Sequence, residues 1–298
     1  MNHVSAPYAS PIAAPRKPRI DPPEGATDCH AHVFGPYAEC PPQAGIREIP
    51  PELPGETYLA LLDAIGFSRG VLVQHRIFGA DCSAMLRAIA LAPEQLRGVA
   101  LIDGDADSAA LARLHRGGVR GARFSTGGTG FSVGAPDPAL LFELAPKLAR
   151  LGWHAQLLAG LEDVVALAPS LAATGVPIVI ETFGMVDPRS GPDQPHFRAL
   201  LRLLERGDVW LKLIAHRISA RYPDYADVAP LHRAAIDANP ERLLWGTDWP
   251  HLRMGERTPD DGHLADVFAD WTEDAALRQC ILVDNPARLY GFGSRAAA

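Results

Sequence analysis

The sequence predicts a (β/α)8 barrel of the TIM type, and three observations carry that prediction. Eight short apolar runs alternate with longer segments of helical period, the rhythm of parallel βα units. The chain has 298 residues, enough for one barrel of about 250 residues and a tail. Ionisable residues stand at the ends of several runs, where barrel enzymes keep their chemistry.

Residues 1–25 hold Pro7, Pro11, Pro15, Pro18, Pro22 and Pro23 and read as an extended N-terminal arm, leaving 26–298 for the barrel. The strand-like runs are 26–34, 69–76, 96–103, 118–126, 153–159, 177–184, 208–215 and 242–248, rich in Val, Ile and Leu. Helices fit 56–65, 82–92, 107–116, 137–151, 161–174, 196–206, 227–238 and 261–273, with a short one at 284–290. Asp137 stands at an N-cap with Pro138 in the first helical position, as helix starts prefer. Gly127-Gly128-Thr129-Gly130 reads as a flexible loop after the fourth strand. No GxGxxG or GxxxxGK[ST] follows any strand, which argues against nucleotide binding.

Hydrophobic residues make up 47% of the chain and the formal net charge is -7. A mildly acidic chain has no global attraction to nucleic acid or to anionic membranes. No run approaches the ~18 apolar residues of a membrane span, and the N-terminus has no apolar core of a signal peptide. Cys29, Cys40, Cys82 and Cys280 form no CxxC pair, so a reduced, cytoplasmic chain is expected. Self-association into a homo-oligomer is left open.

Asp28-Cys29-His30-Ala31-His32 closes the first strand. Side chains alternate along a strand, so His30 and His32 should share a face in the barrel mouth, with Cys29 turned away and rejected as a nucleophile. An isolated HxH is also what a hydrogen-bonded core pair looks like. The last strand runs into Gly246-Thr247-Asp248-Trp249-Pro250-His251. Asp248 could be a mere cap, but strands one and eight are neighbours once the barrel closes, which brings it to the two histidines. Arg76, Arg123 and Arg217 end or follow strands two, four and seven. Most arginines sit in surface ion pairs, yet three around one mouth suit a small organic anion, because guanidinium grips carboxylates in bidentate fashion. Gln156 and His251 are further candidates for substrate contact. His75 and His216 stand near strand ends and can face either way, and Tyr222 and Tyr225 could form a lid.

The HxH, the eight units, GTDWPH and Asp284-Asn285-Pro286-Ala287-Arg288-Leu289-Tyr290 together resemble the amidohydrolase superfamily over about residues 25–293. The resemblance is strongest to the amidohydrolase-related branch of 2-pyrone-4,6-dicarboxylate lactonase and other lactone hydrolases. It implies hydrolysis of a carboxylate-bearing lactone by water. Asp248 would be the base, His30 and His32 would polarise the carbonyl, and arginines would hold the anion. The Asn-Pro motif would close the barrel. Where metal-dependent members carry ligands on strands four to six, Arg123, Gln156 and Thr182 stand here. Arginine cannot ligate a metal and glutamine is a poor zinc ligand. The expected cofactor is therefore none, or one zinc-like divalent metal ion on His30, His32 and Asp248, with His154 and Glu181 as further candidates. An arginine that the branch places a few residues after Arg123 is missing, with Thr129 near its place. Two other readings stay open: a metal-dependent decarboxylase of an aromatic or related acid, and a non-catalytic barrel that only binds an organic anion.

Overall fold

In the computed structural model, residues 11–12, 14–127 and 137–293 are described. Eight parallel strands form one sheet in chain order: β1 Thr27–Ala31, β2 Arg69–Val73, β3 Leu96–Ala100, β4 Val119–Ser125, β5 His154–Leu158, β6 Ile178–Ile180, β7 Val209–Leu213 and β8 Leu243–Trp245. The sheet closes just past β8. Asp248 N donates to His30 O at 2.7 Å and His32 N donates to Trp249 O at 2.8 Å. The chain is therefore a TIM barrel, as the strand rhythm predicts.

Eight helices separate or follow the strands: α1 Gly55–Ile65, α2 Ser83–Leu91, α3 Ser108–Arg116, α4 Pro138–Arg150, α5 Leu161–Ala172, α6 Pro195–Glu205, α7 Ala229–Ala238 and α8 Asp261–Trp271. Asp137 caps α4 by accepting from Ala139 N at 2.7 Å, with Pro138 opening the helix. After α8 come α9 Ala275–Gln279, a π-helical turn Cys280–Asp284 and α10 Asn285–Tyr290. The first two escape the sequence reading because a single helical turn shows too little of its period. Asn285 donates to Pro240 O and to Leu243 O at 2.8 Å each, which ties α10 to the start of β8.

The barrel has two cores. Leu, Ile, Phe and Trp side chains fill the space between sheet and helices. Inside the strands, Val71, Val73, Val99, Val179 and Leu244 pack with Cys29, Trp210, Tyr290 and Phe292. Tyr290 and Phe292 come from the C-terminal segment and plug the floor. Along the outside of α8, Arg16 and Arg19 pair with the buried Asp266 at 2.5 and 3.1 Å. No described helix is long and apolar enough to cross a membrane. Gly128 to Gly130, and with them Thr129, lie outside the described residues, as do Pro7 and the rest of residues 1–10.

Candidate active site

The mouth is assembled by the two ends of the barrel. Asp28 is the joint: its Oδ1 accepts from His30 N at 3.1 Å and Thr247 N at 2.9 Å, and its Oδ2 accepts from Thr247 Oγ1 at 2.7 Å and Tyr58 Oη at 2.9 Å. Burial chiefly raises this carboxyl to about 6 against the pull of those donors. Strict alternation would place Asp28 on the same face as the two histidines. A bulge breaks that alternation: β1 spends three residues, Asp28 to Ala31, where β2 spends two, Gly70 to Leu72. Asp28 therefore faces α1, and Cys29 lies inside the barrel beneath the histidines, not turned away from them. Burial raises its thiol far above the ordinary range, so it holds no thiolate.

Gly246 lets β8 come this close. A Cβ there would lie 2.8 Å from both His30 Cβ and His30 N. The turn that follows is strained, with Asp248, His251 and Arg253 at φ 56°, 61° and 64°. Non-glycine residues in that region cost of order 1–3 kcal/mol each and cluster at functional sites.

Asp248, His30 and His32 meet. Asp248 Oδ1 lies 3.5 Å from His30 Nε2 and 3.3 Å from His32 Nε2, and the three residues are 8%, 1% and 6% exposed. Arg217 Nε donates to Asp248 Oδ2, and its other arm donates to Leu252 O at 2.8 Å. Burial would raise the Asp248 carboxyl, but the Arg217 guanidinium outweighs it and holds the group well below the usual range. Burial, then the nearby Lys212, keeps His30 neutral.

The lining of the pocket above these groups includes polar His75, Arg76, Arg123, Glu181, Thr182 and Arg217 and apolar Leu101, Leu158, Met185 and Leu252. Arg123 reaches it locked to Glu181 by two bonds, 2.7 and 2.8 Å. Burial pushes Glu181 up, yet Arg123 brings it down to about 2. Thus two of the three predicted arginines carry a buried carboxylate partner, whereas Arg76 has none among the described residues.

Other expected contacts lie elsewhere. Gln156 is fully buried and not part of the pocket lining; its Nε2 donates to Glu181 at 2.7 Å and its Oε1 accepts from Lys212 at 2.6 Å. His251 is also off the lining, because the left-handed turn swings its ring to Asp261 at 2.8 Å, at the start of α8. His216 packs on His251 and Tyr225. Tyr225 is wholly buried, so it fills core instead of forming a lid; Tyr222 is 45% exposed. His154 sits inside the barrel against Tyr290, and burial lowers it to about 3. Lys212 was missed, although a lysine within the apolar run Val209–Leu213 is an odd residue for a strand buried on both faces.

The ligand atoms of His30, His32 and Asp248 lie within 4.8 Å of one another, close enough for one metal ion. His32 favours it. Its Nδ1 lies 2.7 Å from Val73 O, which can only accept, so the proton sits on Nδ1 and the Nε2 lone pair faces the carboxylate. Two acceptors 3.3 Å apart call for a proton or a cation between them.

A TIM barrel whose mouth joins an HxH on β1 to an aspartate after β8 defines a class of hydrolase barrels, and comparison narrows it. Residues 27–292 match the family model described as Amidohydrolase. The chain belongs to the amidohydrolase family. It is 36% identical over 278 residues to a 4-sulfomuconolactone hydrolase of Hydrogenophaga intermedia, covering 92% of this chain and 91% of that one. It is 36% identical over 288 residues to a 2-pyrone-4,6-dicarboxylate hydrolase of Comamonas testosteroni, covering 93% and 94%. It also superposes on the crystal structure of a probable 2-pyrone-4,6-dicarboxylic acid hydrolase of Acinetobacter baumannii with citric acid bound. There the TM-score is 0.78 and the identity 26%, covering 90% and 100% of the two chains.

Proposed function

We propose that the protein hydrolyses a small carboxylate-bearing lactone, opening the ring ester by attack of water. The observation that carries this reading is Asp248 between two imidazoles at the foot of an arginine-rimmed pocket. Arg217 anchors Oδ2 and leaves Oδ1 toward the pocket, where it can take the proton of the attacking water. A carboxylate so stabilised is a weak base at rest; a substrate anion that draws on Arg217 strengthens it. His30 and His32 flank the place where charge develops on the carbonyl oxygen. Arg76 receives the substrate's anionic group, and the leucines and Met185 line the ring's apolar face.

His32 and Asp248 would be the main holders of a single divalent ion. Such an ion, when bound, supplies Lewis-acid polarisation of the carbonyl. The relatives named for lactone hydrolysis support the reading. The test is a panel of lactones with no, one or two carboxylates, with product mass measured in heavy-oxygen water. Ring opening with one solvent oxygen incorporated is expected for the anionic lactones. Turnover of neutral lactones alone, or rearrangement without water uptake, overturns the proposal.

A further inference from the structure

Beneath the mouth a chain of directed hydrogen bonds runs from Glu181 to Lys212 and ends at the ring of His30. Glu181 is a carboxylate and can only accept; it takes Gln156 Nε2 at 2.7 Å. That fixes the amide, so Gln156 Oε1 is the acceptor for Lys212 Nζ at 2.6 Å. A second proton of Lys212 goes to Cys29 O at 2.7 Å, and the third points at His30 Nδ1 at 3.4 Å. Lys212 is wholly buried and, among the described residues, has no carboxylate within ion-pair distance. An ammonium has three donors and no acceptor, so the nitrogen of His30 that faces it must offer a lone pair.

We infer that Lys212 is a positioning residue that sets the tautomer of His30. The ring proton is placed on Nε2, which makes His30 a hydrogen-bond donor into the mouth. The geometry gives the two histidines opposite duties. His32 is backed by the acceptor Val73 O and presents a lone pair; His30 is backed by a donor and presents a proton. A metal-binding histidine needs the first arrangement. The chain therefore favours His30 as a donor to the reacting oxygen and opposes its use as a metal ligand, leaving His32 and Asp248 as the cation-facing pair. The kinetic consequence rests on the lactone reading; the tautomer does not.

The experiment reads the tautomer directly, by nitrogen NMR of protein labelled with 15N-histidine, as purified and after dialysis against EDTA. H30Q identifies the signals of His30. The expected result after EDTA is a protonated, pyrrole-type Nε2 and a pyridine-type Nδ1. In K212M the preference should vanish or invert, and zinc alone should bind at least about ten-fold tighter. On an accepted lactone kcat should fall about ten-fold or more with KM little changed, the signature of an interaction made in the transition state. A protonated Nδ1 in the wild-type ring overturns the inference, and this result needs no variant to fold. A folded K212M that keeps the Nε2 proton overturns it as well. The expected tautomer without turnover of any lactone would sink the lactone reading alone.

Discussion

The mouth and the floor of this barrel both use arginine, and they use it in opposite ways. At the floor, Arg97 and Arg69 lie over the Phe292 ring at 4.7 and 5.2 Å, and Arg242 and Arg288 lie over Trp210 at 4.9 and 5.0 Å. Arg97 also donates to Pro93 O and Leu96 O at 2.6 and 2.8 Å. These cations seal an apolar plug through ring faces and carbonyls. At the mouth, Arg123 and Arg217 hold buried carboxylates, Arg76 has none among the described residues, and the backbone around Asp248 is strained. The floor arginines meet ring faces and carbonyls, whereas two of the mouth arginines meet buried carboxylates. The contrast follows the barrel's division of labour, with stability at the N-terminal ends of the strands and chemistry at the C-terminal ends.

The sharpest break of that contrast is Asp248→Asn. It removes the proposed base while preserving shape, so kcat on an accepted lactone should fall by about 10²–10⁴-fold with modest change in KM. Circular dichroism should show the barrel intact. Full activity in the variant would remove Asp248 from the mechanism.

The arginines sharpen the comparison at smaller scale. Arg123→Ala leaves Glu181 charged and buried without its fork, and breaking such a pair costs roughly 3–5 kcal/mol of stability. Arg76→Ala breaks no pair. Its cost should appear as about 10–150-fold weaker binding of anionic lactones, the worth of one charged hydrogen-bond partner at roughly 1.5–3 kcal/mol, with neutral lactones unaffected. Arg97→Ala, at the floor, should lower the unfolding midpoint and leave kcat/KM unchanged. Parallel urea titrations and kinetics of the three variants separate the roles. If Arg76→Ala weakens neutral and anionic substrates alike, it shapes the pocket instead of reading charge.

Much of this was legible in the sequence, for reasons that also mark where legibility stops. Strand and helix periods are local, so every barrel strand and the helices from α1 to α8 stand where the pattern places them, and the HxH and Asp248 announce themselves at strand ends. What depends on which neighbour a side chain finds was hidden. The bulge in β1 reverses the expected face of Cys29. Arg123 reaches the pocket, but its partner Glu181 stands two strands away and 58 residues on, beyond any local pattern. His251 follows Asp248 closely, yet a run of positive φ angles turns it toward α8. Lys212 carried a readable signal, a charge inside an apolar strand, whose meaning lay in acceptors on β1 and β5.

A last expected effect concerns the interior and not the mouth. His154 and His232 are both brought to about 3, chiefly by burial; His232 Nε2 meets Thr272 Oγ1 at 2.9 Å. In the unfolded chain a histidine takes its proton near pH 6.5. Between about 6.5 and 3 the unfolded state therefore binds more protons than the folded one, and stability rises with pH across that window. Equivalently, the stabilisation these residues give is fully present above the unfolded value and is lost as the pH falls through the window. One such group contributes a slope of about 1.4 kcal/mol per pH unit. Urea midpoints should fall steadily between pH 7 and pH 4, and His232→Gln should flatten the decline by about one proton's worth. A midpoint unchanged from pH 6.5 to pH 4.5 would mean that these rings take up protons in the folded barrel. That would require water to reach them through a core that packs His232 against Phe268 and Trp271.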